Sequence, residues 1–278
     1  MKQSVLFRDL GTIGYKAAWD YQESLLQANV RVKLEGRRQM SEAGSQGSEG
    51  GNEYVRLDLG PDTYQDRNSP ARLIHSGGEL GFDHAQHTTR NYLLFVEHLP
   101  VFTLGKSGNM NNVLVSEERL KERGIEFFKT NRGGDITFHG PAQIVGYPIL
   151  DLEKFDTDIG HYLRNLEEVI ILTLREYGIE SGRSRGETGV WIDAGAKGRE
   201  RKICAIGVRC SRWITMHGFA FNVNTNLNYF NLIIPCGIQN KQVTSLKKEL
   251  GMEMDMGEVK AKVKSNFEKV FDVELADF

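Results

Sequence analysis

Three strand-like runs, "GVWID" at 189–193, "KICAIGVR" at 202–209 and "WITMHGFAFNVN" at 213–224, follow one another, the first two joined by the polar turn "AGAKGRER". Helical patterns stand on either side of them. One spans 159–177, after Asp156 or Thr157 and before Gly178. The other is "GEVKAKVKSNFEKVF", with Val259, Val263, Phe267 and Val270 on one stripe. Consecutive strands between amphipathic helices call for a sheet with helices laid on it.

The amino-terminal part reads the same way. In "GYKAAWDYQESLLQANV", Tyr15, Ala18, Trp19, Gln22 and Leu26 share a helical face that should pack onto a sheet. "YLLFVEHLPVFTLG" is strand-like, and Pro100 marks a bend or an edge. Ser116 caps a short helix with Glu117 and Glu118 in its first turn and Gly124 as its stop. The stretch 35–53, "EGRRQMSEAGSQGSEGGNE", almost lacks large apolar residues and is expected to be a mobile insertion. With 278 residues, of which 40% are hydrophobic, the chain can bury a sizeable core.

Charge and cysteine usage narrow the classes. A formal net charge of −2 lacks the basic excess of a nucleic-acid binder, and no apolar run approaches membrane-spanning length. We expect a cytoplasmic protein with neither nucleic acid nor membrane as a partner. Cys204, Cys210 and Cys236 are odd in number and have no paired spacing, so neither a disulfide framework nor a cysteine zinc site is expected. His84 and His87 have i, i+3 spacing without further ligands nearby. No metal or cofactor is called for.

Cys236 is the exception among the thiols. It follows the apolar run "FNLII", which looks like a strand, and Pro235 and Gly237 punctuate the backbone around it. A thiol held on a loop beside a cation can ionise and attack, whereas Cys204 and Cys210, alternating inside a strand, read as packing residues.

Three blocks, "EHLPVFTLG" at 97–105, "RGGDITFHGPAQIVGYPILDL" at 132–152, and "GETGVWID" through "RKICAIGVRCSRWITMHGFAFNVN" to "PCGI" and "VTSL", occur in one order. Over roughly 92–251 they closely resemble the lipoyl (octanoyl) transferase family, related to the biotin/lipoate protein ligase superfamily. The resemblance implies an α/β (α+β) fold, a mixed β-sheet with packed helices, and a single catalytic domain over 1–278. It also implies an activity: an octanoyl group passes from octanoyl-acyl carrier protein to a lysine of a lipoyl domain. The acceptors would be lipoyl domains of 2-oxoacid dehydrogenase complexes and the glycine cleavage H protein.

Carried over by position, the family's nucleophile falls on Cys236 and its activating lysine on Lys202. Its acyl-binding segments fall on Arg132, Gly133, Gly134 and Asp135, continuing through Ile136, Thr137, Phe138 and His139. Two more are Ala205, Ile206 and Gly207, and Gly218, Phe219 and Ala220. The glycines would let an acyl chain lie against backbone. Ala142, in "HGPAQ", occupies a position where that family pattern calls for glycine.

Plainer roles compete for these residues. Lys202 could be a solvated hairpin charge, "RGGD" a tight turn, His139 a turn histidine bonding its own loop, and His217 a structural one. Lys197, Arg199, Arg201, Lys202, Arg209 and Arg212 against the single acid Glu200 suggest a basic rim for an acidic carrier protein, or an ordinary solvated hairpin. Two other function classes stay open. An ATP-using lipoate or biotin ligase has no need of a nucleophilic thiol, and a non-catalytic acyl or lipoyl-domain binding protein would tolerate loss of both Cys236 and Lys202.

Overall fold

A computed structural model describes residues 2–45, 88–234 and 242–278 of the chain. Its main sheet has eight strands. Seven lie in the order β10-β8-β9-β6-β2-β1-β11, and β7 pairs with β8. These strands are β1 (Gln3–Ile13), β2 (Asn91–His98), β6 (Gln143–Ile149), β7 (Val190–Ile192), β8 (Arg201–Ser211), β9 (Ile214–Asn222), β10 (Gln242–Val243) and β11 (Val273–Asp277). β1 runs parallel to β2 and β11, and β10 parallel to β8, while β2–β6, β6–β9 and β8–β9 are antiparallel. The sheet is therefore mixed, as expected. A second sheet holds β3 (Val101–Leu104) between β4 (Glu126–Lys129) and β5 (Ile136–His139). Pro100 stands where the chain leaves one sheet for the other.

Helices cover both faces of the main sheet. α1 (Tyr15–Ser45) buries Ala18, Tyr21, Leu25, Leu26 and Val30 against Leu94, Val96, Tyr147 and Met216. α3 (Ile159–Arg175) and, after the short α4 (Leu246–Leu250), α5 (Met256–Phe271) bury Leu166, Ile170, Val263 and Phe267 against Phe95, Phe219 and Phe221 on the other face. α2 (Glu117–Glu122) starts on Ser116, whose hydroxyl accepts from the Arg119 amide, and Gly124 just beyond its end has φ +65°. The α3 cap is Asp158, two residues later than Asp156, because its carboxylate accepts the His161 amide. The β8–β9 hairpin turns on Arg212 and Trp213, with φ of 50° and 64°, as a tight two-residue turn demands.

One expectation is corrected, and another falls partly outside the described residues. The insertion expected at 35–53 is helical through Ser45, the end of α1, and the rest of it lies outside the described residues. Lys33 and Arg37 anchor α1 to Asp151 and Glu153. The run before Cys236 is not the strand expected. Leu227–Leu232 forms a 3-10 helix, capped by Asn226 accepting from the Asn228 amide, and only Ile233 bridges to Val113. A short apolar run does not distinguish a strand from a buried turn of helix.

Candidate active site

On β8 and β9, Ala205 stands opposite Ala220, and Gly207 opposite Gly218. Small side chains there thin the sheet, and a cavity of about 640 Å³ opens beside them. Residues 132–135 close one side of it. The Gly133 amide donates to the Val208 carbonyl at 2.9 Å, and the Gly105, Lys106 and Ser107 amides donate to Asp135, Arg132 and Gly134 carbonyls. Arg132 knits this loop from within. Its guanidinium donates to the Thr103 carbonyl at 2.6 Å, the Thr103 hydroxyl at 2.9 Å, the Asp135 carbonyl at 2.8 Å and the Gly133 carbonyl at 3.0 Å.

The segments expected at an acyl site converge on this cavity with one exception. Arg132 to Thr137, His139, Ala205 to Gly207 and Gly218 to Ala220 all line it, as does Lys202. Phe138 does not. On β5 its ring packs into the second sheet's core and stacks on Tyr229, ring centroids 4.4 Å apart. Two of the glycines also admit neighbouring backbone. A Cβ on Gly207 would lie 2.7 Å from the Gly133 carbonyl oxygen, and one on Gly218 would lie 2.1 Å from that of Gly146. Both glycines thus hold strands and loop together, and with Ala205 and Ala220 they line the cavity.

Lys202 lines the cavity and is itself buried. Its ammonium lies 4.6 Å from the centre of the Trp191 ring and 3.9 Å from a Glu187 carboxylate oxygen. Gly189 makes this possible: with φ +125°, a side chain there would meet the Cys204 carbonyl at 2.6 Å and the Lys202 stem at 3.5 Å. The Gly189 amide is in turn held at 2.9 Å by Glu167 of α3, a fully buried carboxylate that also accepts from Arg164 and Arg183. Nothing in the helical pattern distinguished Glu167 from a solvated acid. Cys236, with Pro235 and Gly237, lies outside the described residues, as do His84 and His87. The chain on either side of Cys236 is fixed. The Ile234 amide donates to Asn112 at 2.8 Å, and Val243 pairs with Lys202.

His139 and His217 line the cavity, His98 packs behind them against His139 and Tyr147, and burial favours the neutral form of all three. Burial holds His98 down at about 4 and His217 at about 3, the latter helped by Arg132, and burial with His98 and Arg132 holds His139 well below its usual range. His98 gives its Nδ1 proton to the Ile13 carbonyl and accepts from the Tyr147 hydroxyl at 2.6 Å. His217 adopts φ +60°, its amide donating to Gln22 of α1 at 3.0 Å. Burial pushes the Cys204 thiol well above the usual range, in keeping with a packing role. Part of the basic rim is paired: Arg201 with Asp193 and Glu249, and Arg209 with Glu23 at 2.7 Å. Among the described residues no group of three His, Cys, Asp or Glu could hold a metal ion, and no helix is long and apolar enough to cross a membrane.

A mixed sheet flanked by helices, with a buried lysine among the residues lining a cavity beside β8 and β9, defines the class to which the comparisons are made. Residues 79–268 match the family described as lipoyl protein ligase A/B catalytic domain, and the chain belongs to that family. The relatives are more particular. An octanoyltransferase of Flavobacterium johnsoniae is 50% identical over 276 residues, 99% of this chain and 100% of that one. Another, from Christiangramia forsetii, is 49% identical over 276 residues, 99% of each chain. Among solved structures, a bipartite lipoate protein ligase from Thermoplasma acidophilum shares the fold, with a TM-score of 0.56 at 16% identity over 68% of this chain and 74% of that one.

Proposed function

We propose that this chain is an acyltransferase that moves an octanoyl group from octanoyl-acyl carrier protein to a lysine of a lipoyl domain, through a thioester on Cys236. The observation that carries the reading is Lys202, a buried lysine lining a cavity of about 640 Å³, beside the strand to which the chain returns after Cys236. Near-complete alignment with octanoyltransferases at about half identity supports the acyl group.

The chemistry closes on these two residues. Lys202 stabilises the Cys236 thiolate, whose sulfur attacks the thioester carbonyl and expels the carrier's thiolate. That leaving thiolate takes a proton from Lys202. The incoming lysine sheds its ammonium proton to solvent and attacks as the free amine, the neutral Lys202 amine takes the second N–H proton, the C–S bond breaks, and the thiolate–ammonium pair is restored. One thioester exchanges for another, so no nucleotide is needed. Each methylene buried in the cavity contributes about 0.8 kcal/mol, enough over several carbons to favour octanoyl over shorter chains. A working thiolate suits a reducing compartment, and we place the reaction in the cytoplasm, with 2-oxoacid dehydrogenase lipoyl domains and the glycine cleavage H protein as acceptors.

Octanoyl-acyl carrier protein mixed with the enzyme, without lipoyl domain and without ATP, is expected to leave one octanoyl group on Cys236, readable by peptide mass and discharged by adding lipoyl domain. Cys236→Ala should abolish loading. Lys202→Met should slow both half-reactions with little change in carrier binding. An adduct on Cys204 or Cys210, or a strict need for ATP, would overturn the reading.

A further inference from the structure

A directed chain of hydrogen bonds crosses the wall of the cavity, and the proposed chemistry makes no use of it. Its direction is set by backbone. The Gln143 amide group stands 3.2 Å from the Phe138 carbonyl, and that of Asn222 stands 3.0 Å from the Thr244 carbonyl. A carbonyl only accepts, so both contacts must be N–H groups, and both side-chain amides have one possible orientation. Gln143 then donates to the Asn222 oxygen at 2.8 Å and turns its own oxygen toward His139 Nδ1 at 3.0 Å. His139 must therefore carry its proton on Nδ1. The bare Nε2 faces the Thr103 hydroxyl at 3.3 Å, and that hydroxyl already accepts from Arg132, so its own hydrogen points to His139.

Every member is buried: Gln143 is 1% exposed and Asn222 4%. The chain begins at the Arg132 loop and ends at Thr244, whose amide donates to the Lys202 carbonyl at 2.9 Å. It thus joins the loop that closes the cavity to the backbone beside the proposed catalytic lysine, through β3, β5, β6 and β9. We propose that Gln143 and Asn222 are positioning residues for acyl transfer, holding His139 as the Nδ1–H tautomer and the 132–135 loop in register with β10. The kinetic part of this proposal rests on the octanoyl transfer proposed above.

Facing His139 from the packed elements are Tyr15 of α1, His98 of β2, Arg132 of the loop and His217 of β9. Arg132 is the charged group among them, and it opposes a second positive charge. Gln143→Glu alters that balance by setting a carboxylate on Nδ1, which favours the imidazolium. A protonated Nε2 no longer accepts from Thr103, and the Arg132 loop loosens.

The test is imidazole ¹⁵N spectroscopy of the full chain, with His139 assigned through His139→Gln, together with donor KM and kcat for Gln143→Glu. Wild-type His139 is expected as Nδ1–H without titration between pH about 6 and 8, whereas in Gln143→Glu it should titrate in that range. The variant's donor KM should be about tenfold above wild type near pH 6 and fall as pH rises, with kcat less affected. An Nε2–H tautomer in the wild type, or a donor KM in Gln143→Glu that ignores pH, overturns the proposal. The wild-type spectrum keeps it testable if the variant misfolds. The two readings fail separately. A wild type without octanoyl transfer sinks the functional reading whatever the tautomer, and normal transfer with Nε2–H on His139 sinks the positioning role alone.

Discussion

Ala142 is a residue out of keeping with its backbone. It holds φ +58° in the turn between β5 and β6, where its amide donates to Glu97 at 2.9 Å and its carbonyl accepts from Asn224 and Thr225. Three anchored bonds keep the left-handed conformation, which costs a residue with a Cβ roughly 1–2 kcal/mol. The family pattern's glycine there thus has a physical reason. Ala142→Gly removes that strain but adds freedom to the unfolded chain, so a net gain of up to about 1 kcal/mol is expected, read as a higher urea midpoint with unchanged slope. A lower midpoint would mean that the methyl group contributes packing that outweighs the strain. His217 holds a similar angle at φ +60°, and there the imidazole bonds Asn131 at 3.0 Å, which gives the side chain a reason to stay.

At the scale of elements, α3 does more than cover the sheet. Glu167, on its inward face, takes the Gly189 amide and two guanidinium groups, and so fixes the turn that leads into β7 and Trp191 beneath Lys202. Glu167→Gln keeps the shape and removes the charge, leaving half-exposed Arg164 without its carboxylate and Arg183 with Glu168 alone. A stability loss of about 2 kcal/mol is expected in urea unfolding, accompanied by slower transfer. A loss under about 0.5 kcal/mol would show that solvent replaces the carboxylate. Glu167 also marks where sequence stops being legible. α1, α3 and α5 were readable because their apolar stripes and caps are local, and β7 to β9 because alternation and turns are local too. β1 and β11, parallel neighbours joined across most of the chain, leave no such local signature, and the 3-10 helix at Leu227–Leu232 imitates a strand. The cavity segments were legible through their motifs, except Phe138, whose ring packs into the second sheet's core. Glu167, Gln143 and Asn222 were not singled out, because a buried polar residue looks in sequence like a surface one until its partners are known.

The whole molecule brings α1, the main sheet and the second sheet together over His98, His139 and His217, and keeps all three uncharged. An uncharged wall suits an apolar acyl chain, since a buried imidazolium there would be costly. It also ties stability to pH. In the unfolded chain these histidines bind protons near their ordinary value of 6.5, whereas in the fold His98 does so only at about 4 and His217 at about 3. Between pH 6.5 and about 4 the unfolded state thus holds up to three protons more, counting His139, which lies well below its usual range. Stability contributed by neutral burial is complete above pH 6.5 and is lost as pH falls through that window. Each extra proton contributes about 1.4 kcal/mol per pH unit, so the full set approaches a slope on the order of 4. Paired carboxylates lose stability in the same direction but mostly below pH about 5, which leaves the interval above it to the histidines. Urea unfolding at pH about 7, 6 and 5.5 should show the decline already under way, and His98→Gln should flatten it by about a third. Stability unchanged from pH 6.5 to 5.5 would mean that these histidines charge inside the fold, with Arg132 beside them.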